Sequence, residues 1–355
     1  MARATRGSPG SATALRPAPD RATTALPAGF GLVADPGTTT DGDGVVMGGS
    51  PFGLLRLSRR ARDLTARWSA GATVGSRRAD GLLARRLVGR GVFQPRPGPA
   101  RFTAADVTVV VPVRDRPAQL RRLLHHLGDL GDLVCVVVDD GSVDPSATQA
   151  IAVAAGAGFV ALPVNEGPSS ARNRGLAAAG TPLVAFVDSD CVPSPGWLDP
   201  LLGHFDDPLV AAVAPRIVPA PSTAGTSTAF GRYQGVHSSL DMGTAEGPVR
   251  PLSRIPYVPS AALVVRRDVA GARLFDPELR GGEDVDLVWR LHEAGWDVRY
   301  VPQSTVAHDG PASLRPWMAR RFFYGTTAGP LARRHPGAVA PVTTSAWSVA
   351  VWVLA

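Results

Sequence analysis

The sequence predicts an α/β protein in which residues 106–310 form a domain around a mostly parallel sheet with helices on both faces. Two observations support this prediction. Short runs of β-branched residues alternate with amphipathic segments, which is the element order of parallel α/β sheets. Several of these runs end in acidic residues, and ligands bind at the carboxyl ends of parallel strands. The fold class therefore indicates where a functional site would lie.

Composition narrows the class of protein. The chain has 355 residues, 45% of them hydrophobic, which allows one large domain and a smaller one. Its only two cysteines, Cys135 and Cys191, lie in apolar runs and indicate neither a disulfide framework nor a cysteine zinc site. The net charge of +7 comes from the first 100 residues, with 15 arginines against 6 acidic residues. No aromatic and basic pattern accompanies that charge, so we expect no nucleic-acid partner.

The front of the chain divides into three parts. Residues 1–28 lack the apolar core of a secretory signal and are rich in Ala, Arg, Pro and Thr, which predicts a disordered lead. Residues 29–95 read as strands, two helices after an N-cap at Ser58, and a final strand, and they resemble a small winged-helix-like domain. The unit is similar to peptide-recognition elements of peptide-modifying enzymes; a stabilising cap is the alternative. Residues 96–105 form a proline-rich linker.

The elements of the main domain follow from periodicity. Continuous β-branched or apolar runs predict buried strands, at residues 107–113, 133–138, 159–162, 183–187, 261–265 and 298–301. Apolar residues at helical spacing predict helices, at residues 118–130 and 147–155 and from residues 171 and 283. Residues 215–256 are rich in Pro, Gly, Ser and Thr and predict a mobile binding loop.

Two strands end in pairs of carboxylates. Asp188 and Asp190 follow the strand at 183–187, and this spacing suits a hard divalent cation that bridges to phosphate oxygens. Asp139 and Asp140 follow the strand at 133–138, where they could accept hydrogen bonds from a ribose or a uracil N–H. Each pair could instead be an ordinary turn, since Asp is common there.

Two further motifs lie at predicted helix N-termini. Arg172 and Arg174 lie near one of them, where guanidinium and backbone N–H groups can neutralise a diphosphate. Glu283 and Asp284 open another helix, and N-capping is the alternative for either acid. The helix dipole lowers the pKa of a carboxyl group at that place, so burial must offset it if one of them is a base near neutral pH.

Together these motifs identify a family. Residues 106–310 resemble the family-2 glycosyltransferases of the GT-A fold, which is Rossmann-like, through VVVPVRDR, VVVDDGS, NEGPSSARNRG, DSD and GGEDVDLVWRL. The resemblance implies an inverting transfer from a UDP-sugar with Mn²⁺ or Mg²⁺. For the donor it implies contacts from Pro112, Asp139, Asp140, Arg172, Asp188 and Asp190. For the metal it implies Asp188, Asp190 and His308, and for catalysis Asp284 as the base with Glu283 as its helper.

A narrower resemblance concerns the acceptor. GFGLVADP and GGSPFGLLRLS make the chain similar to glycosyltransferases of mycofactocin-type redox cofactor biosynthesis, which implies transfer of glucose to a small peptide-derived acceptor. Three alternatives stay open: a membrane-associated transferase for lipid or polysaccharide acceptors, a sugar nucleotidyltransferase, and an inactive peptide-binding scaffold. The nucleotidyltransferase would need a Gly-rich signature after the first strand, and residues 111–115 lack it.

The end of the chain suggests a membrane. Processive family members carry Gln-x-x-Arg-Trp after the base, whereas residues 317–324 keep arginines and aromatics without that signature. This argues against a processive synthase. Arginines precede an uncharged run at 338–355, which is typical of the cytoplasmic edge of a membrane helix, and a buried helix is the alternative. We therefore expect a cytoplasmic protein, with attachment to the cytoplasmic face of the membrane left open.

Overall fold

The computed structural model describes residues 14–340 apart from residues 42, 132, 221–229, 231–232, 234–237, 272 and 312. Its front unit, residues 31–96, has two small antiparallel sheets and two helices. The bounds are β1 Gly31–Ala34, β2 Thr39–Thr40, β3 Val45–Gly48, β4 Gly53–Arg56, α1 Arg59–Ser69, α2 Arg78–Gly89 and β5 Phe93–Arg96. The Ser58 side chain caps α1, as the sequence predicts. Trp68, Leu87 and Phe93 lie in a separate apolar core.

The main domain is built around one large sheet. Its elements are β6 Val107–Val113, α3 Pro117–Asp129, β7 Val134–Asp139, α4 Pro145–Ala154, β8 Gly158–Ala161, α5 Pro168–Ala178, β9 Leu183–Val187, β10 Cys191–Pro193, α6 Asp199–Leu202, β11 Val210–Pro219, β12 Gly247–Pro248, β13 Ala262–Arg266, α7 Glu283–Glu293, β14 Asp297–His308 and α8 Leu314–Arg334. The strand order is β10-β14-β11-β13-β9-β6-β7-β8, with β12 beside β14. The group β9-β6-β7-β8 is parallel as predicted, whereas β13 runs antiparallel to both of its neighbours.

Helices cover both faces of this sheet. One core layer includes Leu120 and Leu123 of α3, and the opposite layer includes Leu176 of α5 and Leu287 of α7. All five side chains of β9 are buried, because both faces of the central strand are covered. The predicted α/β class with helices on both faces is confirmed. The carboxyl ends of β6, β7 and β9 consequently share one edge.

The front of the chain packs on the main domain. Residues 14–28, predicted to belong to a disordered lead, pack against this domain at their start and against the front unit at Leu26, so the prediction is wrong for them. The Arg16 amide donates to Val269, and the Arg21 guanidinium binds Asp297 at 2.7 Å. Composition alone predicts disorder because it does not show that these residues have hydrogen-bond and ion-pair partners in the main domain. Residues 1–13 lie outside the described residues.

A buried ion pair joins the front unit to the main domain. Arg85 of α2 binds Asp207 through two hydrogen bonds of 2.5 and 2.6 Å, and both side chains are almost fully buried. Each charge depends on the other there, because burying a charge without a partner is costly.

The apolar C-terminal run predicted at residues 338–355 lies only partly within the described residues. Residues 341–355, most of the uncharged run, lie outside the described residues. Among the described residues, no helix has the length and apolar character needed to cross a membrane. The loop predicted over residues 215–256 is also partly outside, but β11 continues to Pro219 and β12 lies at Gly247–Pro248.

Candidate active site

The acidic strand ends and the start of α7 meet at one cavity of about 1320 Å³. Of the nine residues predicted for the site, it brings eight together, including both Asp190, which follows β9, and Asp284 from α7. The predicted residues that line it are Pro112, Asp140, Arg172, Asp188, Asp190, Glu283, Asp284 and His308, and Arg116 joins them.

The two carboxylates after β9 are each paired with an arginine. Asp188 binds Arg172 at 2.6 Å, and Asp190 binds Arg116. The other oxygen of Asp190, Oδ1, is buried without a hydrogen-bond partner, and the Nε2 atom of His308 lies 3.8 Å from it. A buried carboxylate oxygen without a partner is costly, and a cation would satisfy it.

The predicted three-residue metal set is not assembled as a cluster. Within the part of the chain that the structure describes, no group of three or more His, Cys, Asp or Glu side chains is close enough to hold a metal ion. Asp190 and His308 are neighbours, but the contact of Asp188 is with Arg172. This arrangement fits a cation that takes one or two protein carboxylates and fills its other positions with substrate phosphates and water.

Asp140 and Asp139 have different surroundings. Asp140 lines the cavity and accepts hydrogen bonds from the backbone amides of Glu166 and Gly167 at 2.8 and 3.0 Å. Burial raises its pKa, and the two amides partly oppose that rise. Asp139 is fully buried, accepts from the Ser142 amide at 2.8 Å and does not line the cavity. The placement therefore supports a ligand contact for Asp140 and a turn-forming role for Asp139.

Arg172 connects the two acidic groups. Its buried guanidinium binds Asp188 at 2.6 Å and Glu283 at 3.1 Å. The pKa of this guanidinium is raised, because the attraction of those carboxylates outweighs burial, which lowers it. Arg174, two residues farther along α5, is exposed and does not line the cavity. Arg172 therefore couples two parts of the site, in addition to lying near the predicted diphosphate position.

Asp284 has the properties of a base that works near neutral pH. Burial, followed by the adjacent Glu283 carboxylate, raises its pKa to about 7. The backbone amides of Val285 and Ser260 and the charge of Arg172 act in the opposite direction. The helix dipole lowers the pKa of a carboxyl group at this position, and the effect of burial on Asp284 outweighs that lowering.

The turn before Asp284 is fitted closely against helix α8. Gly282 has a φ of 76°, a left-handed conformation that suits glycine. A Cβ atom on Gly281 would lie 2.7 Å from the Phe323 ring of α8. Helix α8 therefore forms a wall beside the candidate base, and two glycines allow the close approach.

Sequence reasoning missed several residues of this cavity. Tyr257 and Tyr324 line it, and the nearby charge of Asp284 contributes to the raised pKa of each phenol, after burial. Arg116 is the partner of Asp190. Arg116 and Tyr324 lie in motifs that the sequence singles out, but neither motif indicates which way a side chain points.

Comparisons with known proteins agree with this geometry. Residues 108–270 match the family model described as glycosyl transferase family 2. The chain is 46% identical over 338 residues to the pre-mycofactocin glycosyltransferase of Mycobacterium tuberculosis, covering 93% of this chain and 69% of that protein. It is 30% identical over 205 residues to a succinoglycan biosynthesis protein of Rhizobium meliloti, covering 52% of this chain and 56% of that protein.

A solved structure supports the fold. A mannosyltransferase from Pyrobaculum calidifontis, in complex with GDP-Man and Mn²⁺, matches with a TM-score of 0.50 and 20% identity over 68% of each chain. The predicted GT-A architecture is confirmed. Together with the family model and the mycobacterial relative, this shows that the chain belongs to glycosyl transferase family 2, as a glycosyltransferase of the mycofactocin type.

Proposed function

We propose that the protein is an inverting, metal-dependent glycosyltransferase that moves glucose from UDP-glucose to a hydroxyl group of a small peptide-derived acceptor. The observation that carries the proposal is the position of Asp284. Its half-buried carboxyl group, with a pKa raised to about 7, lines the same cavity as Asp140, Asp188 and Asp190. A base near its own pKa at neutral pH suits removal of a proton from an attacking hydroxyl group.

Residues on the donor side have separate roles. Asp140, with Pro112 beside it, is proposed to contact the nucleoside, because its carboxylate faces the cavity while backbone amides hold it. Asp188 and Asp190 would hold Mn²⁺ or Mg²⁺ together with the diphosphate, and the partnerless Oδ1 atom of Asp190 supports this assignment. His308 lies beside that oxygen. Such a cation would neutralise charge on the leaving diphosphate.

The transfer step balances with a single base. The acceptor oxygen forms a bond to the anomeric carbon while the bond from that carbon to the diphosphate breaks, and UDP leaves with the bonding electrons. The proton of the acceptor hydroxyl goes to Asp284. Because attack and departure occur on opposite faces, the configuration inverts without a covalent intermediate. Glu283 assists by raising the pKa of Asp284, and Arg172 holds Glu283 in place.

The acceptor class rests on the mycobacterial relative. That protein is named a pre-mycofactocin glycosyltransferase, and the similarity extends over 93% of this chain, so it includes the front unit. We therefore propose that the front unit, which falls within the domain predicted at residues 29–95 except for Arg96, takes part in recognising a peptide-derived acceptor. The transferase domain is assigned to residues 106–310. The alternative acceptors, lipids and polysaccharides, have no observation of their own in the described residues.

Mass spectrometry tests this function directly. The protein is incubated with Mn²⁺, a panel of UDP- and GDP-sugars, and short peptides that carry Ser, Thr or Tyr hydroxyl groups. We expect a mass gain of one hexose with UDP-glucose and none with the Asp284→Asn variant. Transfer from a GDP-sugar alone, or equal transfer by the variant, would contradict the proposal.

A further inference from the structure

A strained turn lies at the rim of the cavity. Leu252, in the turn Arg250–Arg254, has a φ of 57°, a left-handed conformation that leucine rarely adopts. Its side chain is 55% exposed and lines the cavity. The Oγ atom of Ser253 lies 2.8 and 2.9 Å from the carbonyl oxygens of Arg250 and Ile255, and its single proton donates to one of them at a time, which closes the turn. An exposed apolar side chain held in this conformation indicates a functional constraint.

The front unit holds both ends of this turn. Arg250 donates to the Ser50 carbonyl and, at 2.7 Å, to the Gly89 carbonyl. Arg254 donates through its amide to the Ser50 hydroxyl at 2.6 Å. These contacts come from the loop after β3 and the end of α2, two separate places in the front unit.

An ion pair also joins the turn to the front unit. The Arg254 guanidinium binds Asp35 through two hydrogen bonds of 2.7 and 3.2 Å. Asp35 is only 3% exposed and also accepts from the Gln94 side chain at 2.9 Å and the Gly37 amide at 3.0 Å. Asp35 is therefore fixed within the front unit, and Arg254 is fixed by it.

The same segment continues to the candidate base. Trp289 of α7 donates from its indole N–H to the Pro256 carbonyl at 2.8 Å. Farther on, Tyr257 lines the cavity and the Ser260 amide faces the Asp284 carboxylate. A displacement of the turn would therefore change the cavity wall between Leu252 and the base.

We propose that the front unit positions the acceptor side of the active site, with Arg254 and Asp35 as positioning residues and Leu252 as an acceptor contact. The Asp35–Arg254 pair keeps the Arg250–Arg254 turn in its strained conformation, and the turn presents Leu252 to the acceptor. The functional part of this inference rests on the proposed glycosyl transfer; the structural part does not.

Hydrogen exchange tests the structural part. We compare Arg254→Gln with Arg21→Gln, because Arg21 binds Asp297 with a nearly identical side-chain exposure, 39% against 38%, and its hydrogen bonds go to Asp297 and Gly295, outside the turn. Loss of a partly exposed ion pair predicts exchange about fivefold faster at residues 250–257 in Arg254→Gln only. Equal exchange in the two variants would overturn the proposal.

Kinetics tests the functional part. With the peptide that gives the highest wild-type rate in the acceptor panel, Arg254→Gln and Leu252→Ala should each raise the acceptor KM about fivefold and leave the donor KM unchanged. Arg254→Lys should restore part of the loss, because it keeps the charge. An unchanged acceptor KM, or an equal rise with Arg21→Gln, would refute the role of the turn. Absence of transfer by the wild-type enzyme would instead refute the proposed function.

Discussion

Replacing Asp284 with asparagine tests whether this residue is the catalytic base or a carboxylate that only stabilises the fold. Asparagine keeps the size of the side chain and an oxygen for the Val285 amide, but it cannot take a proton from an acceptor. General base catalysis contributes about 10²- to 10⁴-fold, so we expect transfer to fall by that factor. UDP binding should be nearly unchanged, because Asp140, Asp188 and Asp190 remain.

The same substitution should stabilise the protein at alkaline pH. The Asp284 pKa rises from an ordinary value of 3.8 to about 7, chiefly through burial. A carboxyl group whose folded pKa is raised stabilises the fold in its protonated form, and that stability is lost as the pH rises through about 7. At pH 8 the ionised group costs the fold at most about 4 kcal/mol, from about 1.4 kcal/mol for each pKa unit. Asparagine removes that cost.

Three measurements decide the outcome: UDP release from pH 5.5 to 8.5, UDP binding by calorimetry, and the melting temperature at pH 8. Wild-type activity should rise with pH through about 7, the pKa of the base. Asp286→Asn is the control, since Asp286 lies on the same helix but binds Arg290 at 2.6 Å and should lower the melting temperature. If Asp284→Asn weakens UDP binding as much as transfer, or lowers the melting temperature at pH 8, the assignment of the base is wrong.

Three other substitutions probe the donor side and the interface. Asp190→Ala should weaken UDP binding about tenfold with Mn²⁺ and hardly at all with EDTA, because its free oxygen is assigned to the cation; equal weakening in both buffers would remove that role. Asp140→Asn should weaken UDP binding equally with and without metal, measured by the same titration, and a metal-dependent effect would contradict a nucleoside contact. Arg85→Met should lower the free energy of unfolding by about 3–5 kcal/mol in urea titrations, because it leaves the buried Asp207 charge with the Leu209 backbone amide and without Arg85; a change below about 1 kcal/mol would show that water reaches Asp207.

The periodicity of the chain determines much of what could be predicted. The strand at residues 183–187 and the helix that Glu283 opens were predicted, because runs of β-branched residues and apolar spacing are local properties. The position of Asp190 at the cavity followed from the rule that ligands bind at the carboxyl ends of strands. Asp284 opens a helix after an antiparallel strand, and only the family resemblance indicated its place beside Asp190.

The direction of each side chain could not be predicted. Asp139 and Asp140 are adjacent, yet only Asp140 lines the cavity, because successive side chains at a strand end point to opposite sides. The ordering of residues 14–28 was missed as well. It depends on polar partners such as Asp297, which lies far away in sequence and gives no local signal.

The buried pair between Arg85 and Asp207 has a consequence for engineering. Because the front unit and the main domain each bury one charge of the pair at their interface, neither is independent of the other. If the front unit were fused to another catalytic domain, the Arg85 guanidinium would lie at the new interface without Asp207 as its counterion. The main domain without its front unit would keep the Asp207 carboxylate without the Arg85 charge. Chimeras should therefore keep Arg85 and Asp207 as a pair, or replace both by apolar residues of matching volume.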